Sequence, residues 1–519
     1  MTYFCNKHAT AHPEHTAVVD ERGATSWSVL NDNTNRLIHQ LRADGINTGD
    51  VIAIFAGNCR EYFEVLMAAT HAGLLCVPVN WHFTADELAY VMTDSGAKVC
   101  FVEDRFVDIA RDARDNHGMS GLKRIVQIRG PHTEFTQYAN WRAQGSAAEP
   151  DGQGSGGPMF YTSGTTGRPK GVRSSNQKPG GPLAMMEMMG AGLSVMLNIP
   201  ADGTTLLCGP VYHSAQWAFS FLPLIAGSQV VMRHKFDPAE TLKLIDAHKV
   251  TNVHLVPTQF HRLLRLSEKD RSTYQGESLQ VVWHGAAPCP NEVKRQMIDW
   301  WGPVVREYYG STEGSIVSIA TAEDWMQRPG TVGKPSALVE ITIRGEDGSV
   351  LPAGQHGQIY VKNRMGTDFE YHNAPEKTKA AHLEPGVFTF GDIGYFDIDG
   401  YLYLSDRKID MIISGGVNIY PAEIEGVLAM HPAVQDAAVF GIPNEEFGEE
   451  VKAAVTLTAG NLAGDALAEE LMQWVRSKLA GYKTPRSIDF ETEMPRHETG
   501  KLYKRLLRDR YWQNSERKI

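Results

Sequence analysis

Short apolar runs alternate with amphipathic stretches along the first half of the chain, and this rhythm leaves few folds open. VIAIFAG (51–57) leads into EYFEVLMAATHAG, LLCVPVN (74–80) leads into ADELAYVMTDSG, and KVCFVED follows. TTLLCGP, SQVVMRH, TNVHLVP and LQVVWHG repeat the pattern with helical text between them. Strands alternating with helices of about 10–15 residues give parallel sheets with helices on their faces, because each return to a parallel strand must cross the sheet. The expected fold class is α/β: a large N-terminal domain of parallel-sheet βαβ layers plus a β-rich subdomain, with a small mobile α+β C-terminal domain.

Two composition shifts divide the text. Gln144–Pro158, QGSAAEPDGQGSGGP, is polar and Gly-rich and reads as a linker or loop entering a strand at Met159. It contains GxGxxG from Gly152 to Gly157, but a dinucleotide fingerprint must follow a strand and open a helix, and this one does neither. Near residue 405 the β-rich text of 339–363 and 399–407 gives way to short alternating units. These are a helix at 421–432, strands at 434–443 and 449–458, a helix at 465–480 and a strand at 486–495. At roughly 150 residues per domain, 519 residues amount to three or four domain-sized units.

Lys plus Arg is 50 and Asp plus Glu is 61, a net charge of −11, which argues against a nucleic-acid binder. Apolar residues at 42% and charged residues at 21% are the balance of a globular chain rather than a disordered one. The six Cys have no CxxC spacing, so neither a disulfide framework nor a zinc site is expected, and a reducing cytoplasm fits. The N-terminal text lacks the apolar core of a secretory signal. The most apolar stretch, Leu183–Ile199, falls short of the ~20 residues of a membrane span and reads as a buried helix.

The strongest chemical signal is Met159–Val172, MFYTSGTTGRPKGV, where a β-run enters Thr, Ser and Gly and ends on Lys170. Hydroxyls, closely approachable backbone N–H groups and one Lys suit an oligophosphate. The spacing is not that of a Walker A loop, which needs GxxxxGK[ST]. The string resembles the phosphate loop of the adenylate-forming (AMP-binding) superfamily, which includes acyl-CoA synthetases, luciferases and peptide-synthetase adenylation domains.

The resemblance extends over essentially the whole chain in family order. Thr162, Ser163, Gly164, Thr165, Thr166, Gly167 and Lys170 match the phosphate loop. Tyr308, Tyr309, Gly310, Ser311, Thr312 and Glu313 resemble the YGxTE motif, in which an aromatic ring stacks on adenine, the Thr meets the α-phosphate and the Glu holds Mg²⁺. A Tyr ring suits a base, and Mg²⁺ takes one or two carboxylates plus substrate phosphates. Gly285, Ala286 and Ala287, after His284, resemble the small-residue turn along the adenine. Asp392 matches the Asp that accepts from both ribose hydroxyls. Arg407 lies in a hinge motif, with a pivot position two residues on that is usually Asp or Lys and is Ile409 here. Either Lys408 or Asp410 takes the pivot's polar contacts, or the hinge is less solvated. Lys501, in Pro495–Lys501, resembles the catalytic Lys of adenylation. The implied domains are 1–406, the hinge 407–410 and 411–519.

At the acyl end, Pro210–Trp217 resembles the segment lining the acyl and pantetheine tunnels. His213 sits at an aromatic-or-His position, and Trp217 matches the gate Trp of long-chain fatty acyl-CoA synthetases or is simply a core Trp. Gln259, within 256–260, is expected to line the same pocket, and Gly415 and Gly416 to meet the pantetheine channel. No Asp stands out to pair a substrate ammonium, which favours an apolar tail.

The resemblance implies an ATP-dependent acyl-CoA synthetase (a fatty-acid–CoA ligase) using ATP, Mg²⁺ and coenzyme A, with a medium- or long-chain acid favoured. The runner-up is a bile-acid, steroid side-chain or other bulky or aromatic acid, because HGAAPCP with WWGPVVREYYGSTEG is similar to that subgroup. Transfer of the adenylate to a carrier protein or to oxygen is a further alternative. A non-catalytic nucleotide sensor is disfavoured, since Lys501 and Glu313 are both present. The expected partners are a small-molecule carboxylic acid, ATP and CoA, with no nucleic acid and no transmembrane segment. A homodimer and peripheral membrane contact are both compatible with the sequence.

Overall fold

The computed structural model describes residues 3–131, 133–162, 168–175, 177–407, 410–415, 417–444, 446–496 and 502–512, with only the backbone of Arg407. The chain forms two compact units: one from Met1–Leu255, Leu266–Trp283 and Thr367–Lys379, the other from Val256–Arg265, His284–Gly366 and Ala380–Ile519.

The first unit carries the alternating text. One sheet runs in the order Thr136–Gln137, Arg124–Ile128, Ala97–Glu103, Val51–Phe55, Leu75–Pro78 and Gly157–Pro158, parallel throughout. Its inner strands are buried on both faces and therefore read as unbroken apolar runs rather than alternating ones. A second sheet orders Gly23–Ser26, Thr16–Asp20, Gln229–Met232, Thr204–Leu207, Asn252–Leu255 and 281–283, opening with an antiparallel hairpin and parallel from Thr16–Asp20 to Asn252–Leu255. Helix Ala85–Ser95 starts on a capping box, with Thr84 and Glu87 each satisfying a backbone N–H of the other.

The second unit contains a mostly antiparallel sheet ordered Val305–Ser311, Ser315–Ala320, Thr331–Pro335, Leu402–Arg407, Asp392–Phe396, Gly357–Asn363, Val387–Phe388 and His382–Glu384. Val339–Arg344 pairs with Gly357–Asn363. Further along, Val417–Ile419, Ile412–Ser414, Gly448–Leu457 and Val434–Asn444 form a five-stranded sheet, with Ser487–Phe490 parallel to Gly448–Leu457. Helices Pro421–Ala429, Asp465–Lys478 and Lys504–Trp512 complete the α+β set. The expected α/β class is the one found, with a large N-terminal part and a smaller C-terminal one.

Two local expectations are overturned. Leu183–Met196 is a helix but not a buried one. Leu183, Met186, Gly190 and Ser194 form a single buried stripe, while Met188 is 73% exposed and Val195 82% exposed. Apolar content misled because one narrow stripe meets the neighbouring helix Phe221–Ala226, and Gly190 is what lets the backbones approach: a Cβ there would lie 2.9 Å from the Leu222 carbonyl. Among the described residues no helix is long and apolar enough to cross a membrane.

Of the two readings of Gln144–Pro158, linker or loop, the linker falls: the segment is a loop tied to its own unit. Arg36 donates to the Gly145 carbonyl (2.8 Å), Asn35 to that of Ala147 (3.0 Å) and Arg42 Nη2 to that of Gly152 (3.0 Å). His71 Nδ1 meets Gln153 Oε1 at 2.6 Å, and burial holds that imidazole down at about 4. Gly145, Gly154 and Gly156 are there for close approach: a Cβ on Gly156 would run into the carbonyl oxygens of Ala69 and Leu74. Gly156→Ala should therefore cost about 1–3 kcal/mol or more of unfolding free energy. Gly192→Ala, at an exposed helical site with nothing within 4 Å of a new Cβ, should raise stability by up to about 1 kcal/mol. Chemical denaturation of both variants checks the contrast, and equal effects would restore the linker reading.

Candidate functional site

In the first unit, Phe160–Thr162 and Lys170–Ser174 pair antiparallel, with Thr162 opposite Lys170 and Tyr161 opposite Gly171. Ser163, Gly164, Thr165, Thr166 and Gly167 lie outside the described residues, so the register gives the mouth of the phosphate loop: Thr162 on one side, Lys170 on the other. Phe369–Tyr371 adds a third strand, placing Tyr371 opposite Val172. The Lys170 ammonium sits 4.7 Å from the centre of the Tyr371 ring, within cation–π range.

Helix Ala85–Ser95 holds both stems of this hairpin. Tyr161 donates its hydroxyl to Asp94 Oδ2 at 2.6 Å, and burial together with that carboxylate pushes the phenol pKa up. The Asp94 carbonyl meets His372 Nε2 (3.0 Å) and accepts from Asn373 (3.1 Å). Arg168 pairs with Asp86 (3.2 Å) and lies 4.9 Å over the Tyr90 ring. A Cβ on Gly171 would sit tightly against the His372 side chain at 3.1 Å and the Tyr161 ring at 3.2 Å. Nothing in the motif text marks Tyr371, Asp94, Asp86 or Tyr90. They reach the hairpin only through sheet pairing and helix packing.

The Pro210–Trp217 segment is fixed from below by Asn58, which is 2% exposed. Asn58 donates to the carbonyls of Gly209 (2.9 Å) and Arg233 (3.1 Å) and accepts from the Val211 N–H (2.9 Å). His213 precedes helix Ser214–Ala218 and receives the Trp217 N–H on its carbonyl at 2.9 Å. Gln216 reaches His254 Nδ1 at 2.9 Å, and burial pushes that imidazole down to about 3. Trp217 is 7% exposed, edge-on to Phe160 at 5.8 Å and stacked on Phe221 at 5.7 Å. It thus packs against the strand that enters the phosphate loop.

In the second unit, Val305–Ser311 and Ser315–Ala320 form a hairpin with a bulge at Tyr309–Gly310. Gly310 is required there because a Cβ would meet the Ser315 carbonyl. At the tip, the backbone N–H groups of Glu313 and Gly314 both donate to Ser311 Oγ at 3.1 Å, which fixes the turn carrying Thr312 and Glu313. Gly285 lies against Tyr308, since a Cβ would be 2.7 Å from that ring, and Ala286 adopts φ +67°. The turn thus presents backbone, with only the Ala286 and Ala287 methyls, beside a buried aromatic face. Tyr309 donates its hydroxyl to Asp392 Oδ2 at 2.7 Å, and Asp392 is paired in the sheet with the Arg407 backbone. The structure thus sets Gly285 against Tyr308 and Asp392 against the next residue, Tyr309.

Beneath them lies a feature the motifs did not reveal. Lys294 and Glu307, 0% and 6% exposed, form an ion pair of 2.5 Å, with His284 Nε2 at 3.9 Å from the same carboxylate oxygen. Burial pushes the Glu307 carboxyl up while Lys294 pulls it down. The text leaves no trace of it, since Lys294 stands among the charged and polar residues of NEVKRQMIDWW and Glu307 follows Arg306.

Other predicted residues are more dispersed. Gln259 is buried, and its Oε1 accepts from the Val256 N–H at 2.9 Å, capping its own helix. Gly415 turns at φ +57°, and its N–H donates to the Phe447 carbonyl at 2.8 Å. Gly416, the pivot Ile409 and Lys501 lie outside the described residues, as does the Arg407 side chain. The flanks of Lys501 are described: Arg496 bridges to Leu502 and pairs with Asp436 (2.8 Å), and Lys504 pairs with Glu425 (2.9 Å). Glu313 is half-buried on its turn. Among the described residues no group of three or more His, Cys, Asp or Glu could hold a metal. A lone carboxylate of this kind fits a Mg²⁺ that arrives with substrate phosphates and keeps its waters.

Breaking the Lys294–Glu307 pair should cost about 3–5 kcal/mol, because the surviving charge stays buried. Glu307→Gln and Lys294→Met should each show this in denaturation, and Lys294→Met with Glu307→Leu should recover most of it. A double variant as unstable as the singles would mean that the pair does not set the packing under Tyr308.

Comparison with known proteins matches residues 5–367 to the AMP-binding enzyme family and residues 423–501 to the AMP-binding enzyme C-terminal domain. The chain is 31% identical over 512 residues to a feruloyl-CoA synthase from Amycolatopsis sp, covering 97% of this chain and 98% of that one. It is 31% identical over 537 residues to a long-chain-fatty-acid–CoA ligase from Bacillus subtilis (strain 168), covering 98% and 93%. Among solved structures it resembles the o-succinylbenzoate CoA synthetase from Bacillus subtilis in complex with its acyl-adenylate intermediate, with TM-score 0.82, 27% identity and 98% of each chain covered.

Proposed function

We propose, since this chain belongs to the AMP-binding enzyme family, that it is an AMP-forming acid–thiol ligase making acyl-CoA. The observation that carries the reading is the cluster in the second unit: Gly285–Ala286 laid against Tyr308, next to Asp392 held by Tyr309. A turn of small residues that leaves its backbone open, and a carboxylate on the next strand pair, are what a purine and its ribose diol require.

A carboxylate is a poor acylating agent because oxide is a poor leaving group. Attack of its oxygen on the α-phosphorus of ATP forms the P–O bond of an acyl-AMP and expels pyrophosphate. The CoA thiol then attacks the acyl carbon, and AMP leaves with the bonding pair. In this reading the adenine lies along Gly285, Ala286 and Ala287 against Tyr308, and Asp392 takes the ribose hydroxyls with Arg407 nearby. Thr162–Lys170 cradles the phosphates. Thr312 and Lys501 oppose the charge that gathers in the transition state, a preorganised electrostatic role. Glu313 would hold Mg²⁺, which supplies charge neutralisation on the phosphates. His213, Trp217 and Gln259 line the acid's path. Rotation about 407–410 then exchanges Lys501 for the Gly415–Gly416 segment at the thiol's approach, with 1–406 and 411–519 as the bodies that move.

The relatives are named for linear and for aromatic acids at equal identity. An apolar-tailed acid is common to both. A medium- or long-chain fatty acid and a bulky ring acid are the two substrate classes to separate.

Pyrophosphate release across a panel of both classes, with and without CoA, tests the reading. Release with some acid and acyl-CoA only when the thiol is present supports it, and release without any thioester would move the acceptor to another nucleophile. Lys501→Ala should lose about 10²–10³ in adenylation rate, while thioester formation from supplied acyl-AMP survives. Equal loss in both half-reactions would refute the exchange of faces.

A further inference from the structure

Trp217 is 7% exposed, and its indole N–H has no hydrogen-bond partner. Four other indoles each have an acceptor: Trp283 donates to the Leu197 carbonyl (2.9 Å), Trp141 to Asp44 (3.1 Å), Trp474 to the Val427 carbonyl (2.9 Å) and Trp512 to the Gly441 carbonyl (3.0 Å). A buried donor without an acceptor is costly, which is why such groups are rare and call for an explanation. A sheltered water is a poor answer, since it needs two to four polar partners and the rings against Trp217 are Phe160 and Phe221.

The position suggests the acceptor. Phe160 stands in the same short strand as Thr162, the first residue of the phosphate loop. Two residues of strand span about 7 Å, and the Phe160 and Trp217 rings are 5.8 Å apart. An acid whose carboxylate reaches the phosphates would carry its tail past Trp217 several bonds further on. A plain alkyl tail would leave the N–H unpaired, whereas a tail with an oxygen at that depth would satisfy it.

We infer that the Trp217 N–H reads an acceptor oxygen on the acid, so that the preferred substrates are organic acids bearing an ether, methoxy or keto oxygen on an otherwise apolar tail. This rests on the acid-activating reading above and narrows it. It reassigns Trp217 from gate or core residue to specificity-determining donor.

The test uses pairs of acids that differ by one oxygen: para-methoxycinnamate against para-ethylcinnamate, and straight-chain keto acids against their parent acids. In the wild type, kcat/KM for acyl-CoA formation should favour the oxygenated member of at least one pair roughly 5- to 100-fold, the range for a buried donor that gains or loses its partner. In Trp217→Phe, which keeps a ring and removes the donor, that ratio should fall toward one whatever happens to the absolute rates. The wild-type ratios need no variant and decide the matter even if Trp217→Phe folds poorly. Ratios near one in every pair, or a preference that persists in Trp217→Phe, would overturn the inference and leave the ligase reading standing. No pyrophosphate release with any acid would overturn both.

Discussion

Thr162 and Lys170 face each other across one antiparallel register, and the oligophosphate chemistry proposed for this chain depends on that separation being fixed. A Gly- and Thr-rich loop has little to hold it by its own side chains, so its ends must be held from outside. Helix Ala85–Ser95 does this at both stems, through Asp94 to Tyr161 and through Asp86 and Tyr90 to Arg168. Closing a short loop between tethered stems costs less entropy than closing it between free ones. The Tyr371 ring adds direction: it gives the Lys170 ammonium a fixed seat that does not neutralise it, as a carboxylate would.

The second unit solves the opposite problem. The adenine surface proposed there must be apolar and close-packed, yet its strand carries polar residues straight into it. The backbone supplies part of the answer, with Gly285 and Gly310 at positions where any Cβ would collide. The Lys294–Glu307 pair supplies the rest, tying helix Asn291–Trp301 to strand Val305–Ser311 under Tyr308. Such a pair adds little net stability compared with well-packed apolar residues, but it is unforgiving of displacement, because each charge stays solvated only by the other. That intolerance suits a surface that must hold one shape.

The alternating sheets were legible because a strand buried on both faces must be apolar throughout, and few other structures produce seven such runs separated by helix-length text. The motif residues Tyr308, Tyr309, Gly285 and Asp392 were legible in the text, and the structure sets Gly285 against Tyr308 and Asp392 against Tyr309. Lengths and faces were less so. Leu183–Met196 looked buried because composition counts apolar residues without saying how much surface is available to cover them. Gln144–Pro158 looked like a linker because glycine signals flexibility and close packing with the same letter. Tyr371 and Asp94 were invisible for a third reason. Each acts on residues far away in sequence, through pairings that have no local signature.

A net charge of −11 would appear to oppose a tetra-anionic nucleotide. Screening removes most of that conflict, since at physiological salt exposed charges more than about 8 Å away contribute little. What remains is local to each unit: in the first, Asp86 is engaged with Arg168 and Asp94 with Tyr161, and in the second, Glu307 with Lys294 and Asp392 with Tyr309. The Asp392–Tyr309 bond is the exception in kind, because a ribose diol can join or replace a phenol on the same carboxylate without any change in charge. In the proposed reading the chain would meet the nucleotide's sugar with an exchangeable neutral hydrogen bond. Its phosphates are left to backbone N–H groups, hydroxyls and a few cations whose positions the fold, rather than the overall charge, determines.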